Sequence, residues 1–132
     1  MQKTYLKEAV ELKLAASRDM MLVLRLTTAG VIARTALTVD RMDDVKMAVE
    51  EACSCLIGDE AEAPSRLYLR FAQQENRLCI RVCGEESTSG RHISEDEACV
   101  VRCILESLVD QVELETQGEL IHAVALSITL DM

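Results

Sequence analysis

The sequence predicts a two-layer α/β sandwich of the α+β kind, a mixed and largely antiparallel sheet with helices on one face. Three observations carry this. Alternating apolar residues mark short strands, as in Leu67, Leu69 and Phe71 against Arg66, Tyr68 and Arg70. Apolar residues at helical spacing mark three helices, the second through Val45, Val49, Ala52 and Leu56. Short turn signals between most strand pairs favour antiparallel neighbours. With 132 residues and no internal repeat or linker, one domain over residues 1–132 is expected.

Taken in order, Glu11-Leu12-Lys13-Leu14-Ala15 alternates as a first strand. Ser17 or Asp19 is placed to cap a helix whose buried stripe reads Met20, Leu24, Thr27 and Val31, widened by Val23 and Leu26. Asp40 is the expected cap of the second helix, with Asp43 and Asp44 in its first turn, and Gly58 its terminator in a left-handed turn. Residues 59–65 read as an acidic loop containing Pro64. A hairpin follows, turning at Gln74-Glu75-Asn76, with Leu78, Ile80 and Val82 facing the core opposite Cys79, Arg81 and Cys83. Residues 84–93 read as loop. Ser94 and Glu97 form a capping box for a third helix running to about Val109. Two strands, residues 112–115 and 121–130, close the chain around a Gln117-Gly118 turn. The predicted order is β α α β β α β β.

Composition narrows the function. A formal net charge of −9 repels phosphate backbones and anionic lipid, which argues against nucleic acid and membrane as partners. The start of the chain lacks the apolar core of a signal peptide, and no stretch has the apolar length of a membrane helix, so a cytoplasmic protein is expected. The six cysteines include no CxxC pair, and the two histidines are isolated. Free, buried, structural thiols are the expectation, with no metal site. Cys99 and Cys103, one helical turn apart, form the best metal pair if there is one. The Arg66, Tyr68, Arg70 and Arg81 face is a solvated sheet surface or a docking surface for an acidic partner. The first helix is an alternative interface.

Three segments carry a resemblance. Asp44-Val45-Lys46-Met47-Ala48-Val49-Glu50-Glu51-Ala52-Cys53-Ser54-Cys55 resembles the N box of the anti-sigma-factor serine/threonine kinases, of the GHKL or histidine-kinase-like ATPase superfamily. Residues 23–34 are similar to that family's arginine-leucine-threonine helix, and residues 104–113 to the helix after its ATP lid. The matches fall in the family's order and cover about Glu11 to Leu130.

The resemblance implies a Bergerat fold, an ATP site under a mobile lid, and phosphorylation of a serine on a STAS-domain anti-anti-sigma protein. It also implies binding of a sigma factor by a homodimer. Residue by residue, Glu51 matches the family's general base. Cys55 stands where the family has the asparagine that binds Mg²⁺. Gly84 stands at the adenine-reading aspartate, and Glu86 at the glycine two residues on. The Gly-rich end of the lid reads Glu95-Asp96-Glu97 here, and the Gly-Thr before the last strand reads Gly118-Glu119-Leu120.

The expectation is therefore a regulator that works by protein contact, with ATP binding weakened or lost and no cofactor. One alternative is an active ATP- and Mg-dependent serine kinase, with Glu85 or Glu86 reading adenine and Arg91 or His92 reaching the phosphates. Another is a binding domain for a different ligand or a metal. Whether the chain is an enzyme stays open at this point.

Overall fold

The structure, a computed structural model, describes residues 5–59, 63–84 and 90–131. Its strands are β1 (Val10–Ala15), β2 (Arg66–Gln74), β3 (Arg77–Gly84), β4 (Arg91–His92), β5 (Gln111–Gln117) and β6 (Leu120–Thr129). Its helices are α1 (Met21–Ile32), α2 (Val39–Ile57) and α3 (Glu95–Glu106), with a 3-10 turn at Arg18–Met20 leading into α1. The expected element order stands, with one addition. The stretch read as loop before α3 contains β4.

All described strand pairings are antiparallel. β1 pairs with β2, β2 with β3, and β3 with β6. Ile121 pairs with Arg91 of β4 and with Thr116 of β5, and Ala123 pairs with Cys83 of β3 and with Glu115 of β5. A strand has two hydrogen-bonding edges, so β4 continues the line of β3 along one edge of β6 while β5 occupies the other. Tight turns set the register of the two hairpins. Glu75, at φ 57°, turns β2 into β3, and Gly118, at φ 62°, turns β5 into β6.

Period-2 alternation divides the sheet into a covered and an open face. Leu67, Leu69, Phe71, Leu78, Ile80, Val82, Val124, Leu126 and Ile128 are all buried beneath the helices. α2 supplies the largest helical share of the core through Val45, Ala48, Val49, Ala52, Cys53, Leu56 and Ile57. Aliphatic side chains fill this core, with Phe71 the single buried aromatic among the described residues.

Several local expectations are corrected. Thr38, not Asp40, caps α2, its hydroxyl accepting from the Arg41 amide at 3.3 Å. Starting at Val39, the helix keeps only Asp40 of the three aspartates in its first turn. Ser17 caps the 3-10 turn by accepting from the Asp19 amide, and α1 has no side-chain cap of its own. Ser94 caps α3, accepting from the Glu97 amide at 3.1 Å, but the Glu97 carboxylate goes to Arg91 rather than back to Ser94. α3 ends at Glu106 instead of Val109 because Ser107 closes the last turn, its amide reaching the carbonyls of Cys103 and Ile104.

The α1 stripe is rotated from its expected position. Leu24, Thr28, Val31 and Ile32 are buried, while Leu22, Val23 and Leu26 face solvent. Leu24 is 0% exposed and Leu26 66%, so equal truncations should have unequal effects. Leu24→Ala is expected to cost about 2–5 kcal/mol, and Leu26→Ala less than about 0.5 kcal/mol. Urea unfolding midpoints of the two variants check this, and equal losses would place the α1 stripe wrongly.

Candidate functional site

The residues singled out by their motif positions converge on the C-terminal half of α2 and on the β4–α3 segment beside it. Glu51 is half-buried on α2, and Cys55 follows one turn later on the same side. Cys55 is buried, and burial pushes its thiol up to about 11. The Arg91 charge opposes that shift and the Glu97 and Glu51 carboxylates add to it, so these four side chains share one electrostatic environment. At neutral pH the thiol keeps its proton. A neutral sulfur is a poor ligand for a hard cation such as Mg²⁺, which binds oxygen.

Gly84 is the last residue of β3, paired with Leu67. It has the parity of Ile80 and Val82 and therefore looks toward the helices. The position is right for a side chain that would reach into the space beside α2, and glycine offers none. Glu85 and Glu86 lie outside the described residues. His92 closes β4, paired with Leu120, and is exposed.

Arg91 is the residue whose placement the sequence did not reveal. Opposite the buried Ile121 in the β4–β6 pairing, it projects to the helix side of the sheet. Its side chain is only 16% exposed, and Nη2 donates to Glu97 Oε2 at 2.8 Å. Nη1 is buried and has no hydrogen-bond partner among the described residues.

The guanidinium rests on Gly58, the cap of α2. A Cβ added to Gly58 would lie 2.1 Å from Arg91 Nε. Gly58 has φ 63° and ψ −127°, a conformation open to glycine rather than the expected left-handed helical one. From the other side Arg18 Nη2 donates to the Gly58 carbonyl at 2.6 Å, and Arg18 Nη1 to Ser54 Oγ at 3.3 Å. Two guanidinium groups thus meet the negative end of the α2 dipole. The only sequence signal for this cluster was Gly58 itself, read as a helix stop. Nothing in the sequence pairs it with an arginine 33 positions on.

The three carboxylates Glu95, Asp96 and Glu97 occupy the first turn of α3. They satisfy the positive end of that helix, where an anionic ligand would otherwise be favoured. The cysteines divide into classes. Cys53 and Cys55 are buried, Cys79 and Cys83 half-buried, and Cys99 and Cys103 exposed, so the expectation of buried thiols fails for the α3 pair.

On the open face of the sheet a groove of about 750 Å³ runs past Arg70, Ala72, Arg77, Cys79, Arg81 and Ser127. The basic face expected there is largely neutralised. Arg81 makes a bidentate pair with Glu115 at 2.7 and 3.0 Å, and Arg70 lies 3.7 Å from Glu11. Both ion pairs are at least one-third exposed, so each contributes modestly.

The Gly58–Arg91 contact makes a direct prediction. Gly58→Ala should cost about 1–3 kcal/mol through backbone strain and the collision together. In an Arg91→Ala background the cost should shrink by at least about 0.5 kcal/mol. A double-mutant cycle from denaturant unfolding reads the coupling, and strictly additive losses would mean the two residues do not touch.

No family model matches the chain. Curated relatives do. The serine-protein kinase RsbW of Bacillus cereus (strain AH187) is 34% identical over 76 residues, 57% of this chain and 48% of that protein. RsbW of Bacillus anthracis gives the same identity and coverage. The match therefore spans about half the length of these relatives. Among solved structures, the RsbU and RsbW domains of a Mycobacterium tuberculosis protein superpose with a TM-score of 0.68 at 12% identity, covering 94% of this chain and 32% of that one. This chain is thus similar in sequence to RsbW serine-protein kinases over 76 residues, and it shares the fold of the mycobacterial chain with RsbU and RsbW domains.

Proposed function

We propose that this domain is an anti-sigma-factor-like regulator of bacterial transcription or stress signalling that works by protein contact, with ATP binding weakened or lost. The observation that carries the reading is Arg91 seated on Gly58 and tied to Glu97, beside a protonated Cys55. In the family this neighbourhood holds Mg²⁺ and triphosphate. Here a thiol stands at the position of the oxygen ligand, Gly84 brings no carboxylate, and the arginine whose charge acts on Cys55 is already paired to a carboxylate. A nucleotide would have to break the Arg91–Glu97 pair and bring phosphates toward the three carboxylates of the α3 first turn.

Under this reading the partner is a sigma factor or a STAS-domain anti-anti-sigma protein in the cytoplasm, met by a homodimer of the domain. Among the described residues, no helix is long and apolar enough to cross a membrane. The exposed Leu22, Val23 and Leu26 of α1 supply the apolar contact such an interface needs at its centre.

Calorimetric titration of the purified chain with a purified sigma factor or STAS-domain protein tests this. The expected result is a complex whose affinity does not change when Mg·ATP is added. Leu26→Asp should weaken it by at least about tenfold, or about 1.4 kcal/mol, without changing the melting temperature of the free chain. Binding that requires ATP, or transfer of phosphate to a serine of the partner, would favour an active kinase with Glu51 as its base.

A further inference from the structure

The six thiols fall into three pairs that sequence spacing alone does not rank. Cys53 and Cys55 are two apart on α2, so they point to different sides of the helix, and both are buried. Cys79 and Cys83 share the open face of β3 but lie four residues apart on an extended strand, about 13 Å. Cys99 and Cys103 are four apart on α3, and both are exposed. Only this last pair brings two accessible sulfurs together on a rigid element.

Its geometry discriminates between chemistries. Helical neighbours four residues apart hold their Cβ atoms about 5–6 Å apart. A disulfide needs about 3.5–4.5 Å, so oxidation within the pair would distort a turn of α3. A tetrahedral zinc centre needs four ligands. Among the described residues, no group of three or more histidine, cysteine or acidic side chains is placed to hold a metal. With the zinc–thiolate bond of about 2.3 Å as the guide, two thiolates in line with a single metal ion set their sulfurs about 4.6 Å apart, which neighbouring helical turns can span. Thiolate ligands select soft cations. The same face of α3 carries Asp96, three residues before Cys99, and Glu106, three after Cys103, so a cation there has acidic neighbours.

We propose that Cys99 and Cys103 form a two-coordinate site for a soft monovalent cation of the Cu(I) or Ag(I) class. On binding, each thiol releases one proton, two metal–sulfur bonds form, and no electron is transferred. The ion bridges consecutive turns of α3, the helix whose first turn gives Glu97 to Arg91.

The test uses the full chain, reduced with a non-thiol phosphine and titrated anaerobically with Ag(I), with native mass spectrometry counting ions per chain. One tightly held ion on a single chain is expected. Cys99→Ser and Cys103→Ser should each abolish the tightly held ion, because a hydroxyl is a poor ligand for a soft cation. Both positions are exposed, so melting temperatures should not change. Cys79→Ser and Cys83→Ser should retain the ion. Unchanged binding in the α3 variants, loss of the ion in the β3 variants, or an ion held between two chains would each overturn the proposal.

Discussion

Nearly everything in this molecule is set by how α2 packs on the sheet. Val45, Ala48, Val49, Ala52, Cys53 and Leu56 form one continuous buried stripe against the sheet. Small residues at positions 48, 52 and 53 let the helix lie close to the strands, while Ile57 seals its far end. Once that stripe is fixed, Glu51 and Cys55 cannot move independently, nor can Ser54 and Gly58. Helical periodicity places all four at the end of α2 where β4 and the start of α3 converge. The same packing brings Arg41, near the N-terminus of α2, to Asp110 at 2.9 Å. The Asp110 carboxylate also accepts from the Thr129 amide at 2.6 Å, and these bonds hold its pKa below the usual carboxylate range. One aspartate thus links α2, the α3–β5 turn and the end of β6.

The electrostatics of the cluster follow from that scaffold. The carbonyl end of α2 is negative, and it is answered by Arg18 at the Gly58 carbonyl and by Arg91 across the Gly58 backbone. The amide end of α3 is positive, and it is answered by Glu95, Asp96 and Glu97. The Arg91–Glu97 pair joins the two helix ends. The cluster is internally balanced apart from Arg91 Nη1, buried without a partner among the described residues.

Strands and helices were legible because their periods are strong. The alternation of Leu67, Leu69 and Phe71, and of Leu78, Ile80 and Val82, left one assignment of faces, and the structure has it. The α2 stripe was equally clear. The α1 stripe was not, because apolar residues surround that helix and periodicity cannot say which leucines are buried. Leu24 and Leu26 look alike in sequence and differ fully in exposure. Helix boundaries moved by a residue or two where competing caps were adjacent, Thr38 against Asp40 being the clearest case. At the site, the identities of Cys55 and Gly84 were readable because motif positions are local. The contact of Arg91 with Gly58 was not, since it depends on β4, whose two residues are too few to carry a pattern.

The decisive question is whether this cluster leaves room for a nucleotide. Titrating the purified chain with Mg·ATP by calorimetry, alongside its melting temperature, asks that most directly. No saturable heat and an unchanged melting temperature at millimolar nucleotide are expected. A saturable heat, with stability rising by about 2.7 kcal/mol at a hundredfold excess over Kd, would contradict this.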